Sequence, residues 1–359
     1  MTRLPLEHSE TARVVLQLEL ESSSVAAIYE LAHYAPRGGQ STASLPDDAT
    51  ADAALRQLGV SDQDLVEVLA ARPVETTDSA QWWLFERCSA MLISRMGTVG
   101  PLPTWPDLPD SLGAPGRYLY VWVFLACLPA AREYHREREI PDELSWEILS
   151  VLSAQMNNRR AIYGEGGLHT QNWVTHHFRG AIYSLGRLHF ERLVLGFSPD
   201  ATLTDARAGD WALGLHIPEG RLTPELCDDA IAWASEFFPR HFPEEHYALA
   251  VCTSWILDPQ IEDYLGEDTN IVQFLRRFTL IPHDGTDGSA TAVEFLFKRP
   301  VAEKDQLPRD SSLQRGVLEH IEAGKQWFFR TGWFPLKSSD GDLASVRRQA
   351  TTPAVPQHH

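Results

Sequence analysis

Between Tyr118 and Ala131 the chain reads YLYVWVFLACLPAA, about 14 residues with no charged side chain. So apolar a stretch is costly to leave in water, yet it falls short of the roughly 20 residues that a membrane-crossing helix needs. It is therefore expected to be a helix buried in a protein core. Helical patterns flank it in sequence. ATADAALRQLGV from Ala49 and SDQDLVEVLAAR from Ser61 begin with Asp and Ser, whose side-chain oxygens accept from the free N–H groups of a first turn. Ser79 to Met96 and Arg117 to Arg138 follow, and then Pro141 to Arg160. In this last segment Leu144, Ile148, Val151, Leu152 and Gln155 keep the i, i+4, i+7, i+8 spacing of one buried stripe. The N-terminal half reads as a helical bundle.

Two segments read as connections. PRGGQSTASLPDD is expected to be exposed, and the Pro/Gly-rich GTVGPLPTWPDLPDSLGAPG from Gly97 continues no helix. Residues 1 to about 45 show weak periodicity, so helical order is expected to begin near Thr50.

The pattern changes near Tyr183. LGRLHFERLVLGF and WALGLHIPEG read as strands. A helix then starts at Thr223, with Thr as cap, Pro224 at the first helical position and an apolar face of Leu226, Ala230, Trp233, Ala234 and Phe237. YALAVCTSWIL from Tyr247 is apolar on both alternating faces and reads as a central strand. Helical QIEDYLGEDTNIVQFLRRF, strand FTLIPH, strand TAVEFLFKR, helix SSLQRGVLEHIEAG and strand WFFRTGWFPL complete the half. The tail from Lys337 is polar and expected to be disordered.

Charge limits the partners. Lys plus Arg number 31 against 49 for Asp plus Glu, a formal charge of -18 that repels nucleic acid and anionic lipid. The four cysteines are far apart with no C-x-x-C pair, which fits a reducing compartment. The first residues, MTRLPLEHSETARVV, lack the basic-then-apolar form of a signal peptide. A cytoplasmic location is expected.

Several segments resemble one family. GGLHTQNWVTHHFRGAIYSLGRLHFE, LGLHIPEGRLTPELCDDA, CTSWILDPQIEDYLGEDTNIVQFLRRF, LPRDSSLQRGVLEHIEAG and RTGWFPL look like bacterial acyltransferase domain-containing proteins with a helical N-acyltransferase N-terminal domain and a GNAT-like C-terminal domain. The resemblance implies an α+β fold, a helical N-terminal bundle packed on a GNAT-like mixed α/β domain. The expected division is an N-terminal extension at 1–45, the helical domain at 46–180, the GNAT-like domain at 181–336 and a tail at 337–359. It also implies an enzyme that moves an acyl group from a thioester, acyl-CoA or an acyl carrier protein, to a small amine or hydroxyl acceptor. GNAT enzymes hold the coenzyme pyrophosphate on a glycine-rich turn. The corresponding turn here, HIPEGRLTPE, has one glycine and an acidic Glu219, so it offers fewer N–H groups. Gly220, Leu222 and Thr223 are its candidate cofactor-binding residues.

The candidate catalytic residues are His216 and Glu219, at the end of strand LGLHIPEG, and His169. An imidazole or carboxylate there could take the proton of an attacking amine, an effect worth about 10²–10⁴-fold. His169 belongs to YGEGGLHTQNWVTHH, the densest run of reactive side chains, read as a site-lining loop on account of its glycines. Gln171, Trp173, His177, Trp255 and Asn270 are candidate substrate-binding residues. The spacing of His169, His176 and His177 matches no metal motif, so no metal is expected. Cys252 reads as a buried core residue rather than a nucleophile. Two other readings stay open: a non-catalytic ligand-binding module on a GNAT-like shell, and a hydrolase or lyase that uses the His-rich loop.

Overall fold

The structure, a computed structural model, describes residues 6–34, 43–74, 79–282, 285–299 and 306–336. The tail from Lys337 and residues 36–42 of the expected connection lie outside them. The chain divides into two compact units, Met1–Ser184 with Val293–Leu307, and Leu185–Ala292 with Pro308–His359.

The first unit is helical: α1 Leu6–Gln17, α2 Val25–Ala32, α3 Asp48–Gln57, α4 Asp62–Ala70, α5 Ser79–Ser94, α6 Gly113–Glu137, α7 Asp142–Leu149, α8 Val151–Tyr163 and α9 Gln171–Phe178. Every residue from Tyr118 to Leu128 in α6 is buried, so the apolar run is indeed the centre of this unit. Helical order starts earlier than expected. Val14, Leu18, Ile28 and Leu31, next to or within α1 and α2, are buried at three- and four-residue spacing in the same core. The expected helix from Pro141 is two helices parted at Ser150, whose hydroxyl donates to the Glu147 carbonyl at 2.6 Å and competes with the helical ladder.

The connector after Gly97 is pinned rather than loose. Trp105 is wholly buried and stacks on Tyr120 and Phe124, with ring centroids 5.3 and 5.2 Å away. The run from Gln171 to His177, read as loop, is helix α9; only residues 164–170 are irregular. Gly166 is fixed there by lack of space. A Cβ on it would lie 2.0 Å from Tyr118 Oη and 2.1 Å from Arg160 Nη2. Those groups belong to a network in which Arg160 donates to Asp64 and to Glu67 and the single Tyr118 hydroxyl lies within hydrogen-bond distance of both carboxylates.

The second unit is built on a mixed sheet in the order β1-β2-β3-β4-β7-β5, with β6 paired to β7. The strands are β1 Ile182–Leu185, where the chain leaves the first unit, β2 Leu188–Val194, β3 Trp211–His216, β4 Leu249–Ser254, β5 Thr279–Leu280, β6 Thr286–Asp287 and β7 Phe328–Pro335. β4 is parallel to β3 and antiparallel to β7, which makes it the interior strand its apolar faces required. The helices are α10 Pro224–His241, α11 Asn270–Leu275 and α13 Ser312–Glu322, while α12 Ser289–Phe297 begins in this unit and continues into the segment assigned to the first.

Three expectations need correction in this half. TAVEFLFKR is not a strand but most of α12. Its short apolar run fits both periods, and Asp287, which accepts from the Ser289 N–H at 2.9 Å, starts a helix. The buried face of α10 is Cys227, Ala230, Ala234, Phe237, Phe238 and His241, whereas Leu226 and Trp233 are exposed. Cysteine packs as a small apolar residue and moves the stripe by one position. The long helical pattern from Gln260 is a short 3₁₀ turn at Pro259–Asp263 followed by the six-residue α11.

Candidate active site

Antiparallel pairing of β2 and β3 sets His189 opposite His216 and Glu191 opposite Gly214. Side chains two apart on a strand share a face, so His189, Glu191 and His216 rise from one surface of the hairpin. His216 Nε2 lies 2.9 Å from Glu191 Oε2. Gly214 makes room for this contact, since a Cβ there would meet Leu193 Cδ2 at 2.8 Å and Glu191 Cβ at 3.3 Å. A carboxylate beside Nε2 would favour the tautomer protonated there. His189 stands beside the pair. Burial, with the charges of His216 and Arg187, pulls its pKa down to about 4, so it is a neutral imidazole near pH 7.

The opposite face of β2 is core. Arg192 is buried against Glu245 and over the Phe242 ring, 4.1 Å from its centroid. The same strand thus carries one structural ion pair and one chemically useful pair on its two sides.

The turn after β3 leads to α10. Thr223 Oγ1 accepts from the Leu226 N–H at 3.3 Å and Pro224 occupies the first turn, as the sequence required. Gly220 takes φ +121°, a backbone shape that favours glycine. Glu219 is exposed in this turn. Arg187, from the β1–β2 turn, reaches across. Its Nε and Nη2 donate to the carbonyls of Arg221 and Gly220, both at 2.8 Å, and its Nη1 is buried without a partner. Burial also pushes its pKa down. Arg277 donates to the Pro224 carbonyl and to Asp228 in the first turns of α10. Cys227 lies near both arginines, but burial dominates and raises its thiol pKa. The corner holds two guanidiniums and a helix N-terminus in a strongly acidic chain.

The remaining candidates divide between the units. Trp255 is buried in the second unit and Asn270 opens α11 there. His169 and α9 belong to the first. His169 Nδ1 is buried without a partner, the ring meets Tyr163 edge-on at 5.3 Å, and burial and then Arg159 lower its pKa. Gln171 is buried and donates to Asp107 at 2.8 Å, so it acts as a strut. His177 is also buried, its Nδ1 3.4 Å from the Trp173 carbonyl and its ring edge-on to Trp173. Glu191, His189 and Arg187 were not singled out from sequence. The alternation in LHFERL shows His189 and Glu191 on one face, but only the strand register brings them to His216. Among the described residues, no three His, Cys, Asp or Glu side chains form a metal-binding group, and no helix is long and apolar enough to cross a membrane.

A mixed sheet with a histidine–carboxylate pair at a strand end and two arginines at a helix start is compatible with acyl transfer. Comparison agrees. Residues 49–180 match the N-acyltransferase N-terminal domain and residues 182–334 the GNAT-like C-terminal domain. Among solved structures, an acyltransferase in complex with decanoyl-CoA and teicoplanin is 39% identical, with a TM-score of 0.81 over 91% of this chain and 99% of that one. A tryptophan-to-alanine variant of an acyltransferase, in complex with octanoyl-CoA, is 38% identical with a TM-score of 0.82 over the same shares. No curated protein matches. The chain belongs to this acyltransferase family and is an enzyme.

Proposed function

We propose that the protein transfers an acyl group of the octanoyl to decanoyl class from coenzyme A to an amine or hydroxyl of a small-molecule acceptor, with His216 as general base. The observation that carries the assignment is the 2.9 Å contact between His216 Nε2 and Glu191. The acceptor atom bonds to the thioester carbonyl carbon, the C–S bond breaks, and coenzyme A leaves as a thiolate. His216 Nδ1 takes the proton of the acceptor and Glu191 balances the imidazolium that forms. Arg187 and the turn of Gly220, Leu222 and Thr223 hold a coenzyme phosphate at the start of α10. Glu219, exposed in that turn, is a second candidate acid–base group. In this reading residues 46–180 and 181–336 are the two domains of the enzyme. Trp255 and Asn270, in the same unit as His216, contribute to acceptor binding.

The 37–39% identity to acyltransferases crystallised with acyl-CoA supports coenzyme A as donor. Release of free thiol from octanoyl-CoA in the presence of teicoplanin or simple primary amines tests the reading. His216→Ala should lower turnover by about 10²–10⁴-fold while the protein stays folded. Unchanged turnover would remove His216 from the mechanism. Efficient transfer from an acyl carrier protein, with none from acyl-CoA, would replace the donor.

A further inference from the structure

One face of the sheet in the second unit changes character along its strands. Side chains alternate between faces, so Leu193 on β2, Ala212 on β3, Leu249 and Val251 on β4 and Trp333 on β7 share the face of Glu191 and His216. They form one apolar cluster with Leu195 and Ala206. One step further the face turns polar. The pairing of β3 with β4 ends at Gly214 and Val251, and two residues on, His216 stands level with Thr253. Thr253 is in turn opposite Thr331 on β7. His189, His216, Thr253 and Thr331 therefore make one row across four strands.

Unlike the apolar rows before it, this row is open to solvent: Thr253 is exposed, and the other three are half-buried. The two threonine hydroxyls lie 2.9 Å apart, and this contact is the one side-chain hydrogen bond of either residue. Two hydroxyls carry two protons and the contact uses one of them, so the other is left for a third group.

We propose that Thr253 is a catalytic residue whose hydroxyl donates a hydrogen bond to the thioester carbonyl oxygen, with Thr331 as a positioning residue that donates to Thr253 Oγ1. The inference rests on the acyl transfer read above. When the acceptor atom bonds to the carbonyl carbon, the C=O π electrons move onto that oxygen. They return when the C–S bond breaks and the thiolate leaves. The acceptor proton goes to His216, and Thr253 keeps its own proton throughout. A donor aimed at that oxygen stabilises it most while it carries the charge. Neighbouring strands lie about 4.8 Å apart, so a base on β3 and a hydroxyl on β4 can meet two sides of one thioester.

The test uses the full chain and octanoyl-CoA isotope-labelled at its carbonyl carbon. A hydrogen bond weakens the C=O bond, so the infrared stretch of the bound carbonyl should lie lower in wild type than in Thr253→Val, and Thr253→Ser should restore it. Thiol release with a primary amine is the second readout. Thr253→Val should lower kcat by about 10²-fold, typical of a lost oxyanion donor, with the KM for acyl-CoA nearly unchanged. Thr331→Val should cost about tenfold, and the double variant no more than Thr253→Val alone, because Thr331 acts through Thr253. Valine keeps the shape of threonine and suits a strand, so melting temperatures should stay within a few degrees. A carbonyl stretch moved by Thr253→Val beside unchanged turnover in His216→Ala would remove His216 as base and support the hydroxyl pair. An identical stretch in wild type and Thr253→Val, or an unchanged kcat in Thr253→Val, would overturn the proposal whatever His216→Ala does.

Discussion

Replacing Glu191 with Gln keeps the shape of the side chain and removes its charge, so it isolates what the carboxylate contributes to His216. If His216 becomes an imidazolium in the transition state, Glu191 stabilises that charge across the 2.9 Å contact. Unit charges about 4 Å apart interact by about 1 kcal/mol in water and about 4 kcal/mol at an effective dielectric of 20. The side chains of His216 and Glu191 are 35% and 19% exposed, which places the pair between those limits. A value of about 2 kcal/mol corresponds to a loss of about 30-fold in kcat/KM. The assay is steady-state thiol release for wild type, Glu191→Gln, His216→Ala and the double variant, beside melting curves. Because Glu191 acts through His216, Glu191→Gln should cost almost nothing in the His216→Ala background, a coupling of about 2 kcal/mol. The KM for acyl-CoA should stay nearly constant. Equal losses in both backgrounds would show that Glu191 acts elsewhere and would refute the pairing.

Three further outcomes are expected. Gly166→Ala should destabilise the helical unit by about 3–5 kcal/mol, because the new methyl would sit 2.4 Å from Asp64 Oδ1 and force apart the buried Arg160–Asp64 pair; thermal melting measures it. Burial, and then Arg132, pull the His135 pKa down from 6.5 to about 4. Between those values the unfolded chain binds the proton and the folded chain does not, so stability present above about pH 6.5 is lost as pH falls toward about 4. The loss approaches about 3 kcal/mol, and a melting series in pH should flatten over this window in His135→Asn. Cys252, its thiol pushed up to about 12 by burial, should resist alkylation at neutral pH. Cys252→Ala should cost about 1–3 kcal/mol of stability and leave turnover within a few-fold of wild type; a loss above about 10³-fold in a folded variant would mark a nucleophile.

What sequence could show follows from the range of each signal. The central helix, the cap at Thr223 and the interior strand at Leu249–Ser254 were legible because apolar pattern and capping are local. TAVEFLFKR was misread because its short apolar run satisfies two periods at once, and the capping Asp287 lies just outside it. His216 was legible as a polar residue at a strand end. Its partner was not, because Glu191 lies 25 positions away and meets it only through the β2–β3 register. Turn geometry and packing set that register, and no single segment encodes it. The same holds for Arg187, whose approach to Gly220 spans 33 positions.

The charge of -18 and an anionic donor are compatible once distance is considered. At physiological ionic strength the Debye length is about 8 Å, so most of the acidic surface is screened from a phosphate bound at one corner. The local groups decide the outcome. At the start of α10 these are Arg187, Arg277 and the first-turn N–H groups not taken by the Thr223 cap, set against Glu225 in the first turn, with Asp228 already engaged by Arg277. Arg187 is the informative one. Two of its nitrogens are fixed on the turn carbonyls, the third has no partner, and burial lowers its pKa, as expected of a guanidinium held in place without a matching anion. In this corner a well-placed arginine can do what additional glycine N–H groups do in other turns of the GNAT type, so a glycine-poor turn and coenzyme binding do not conflict.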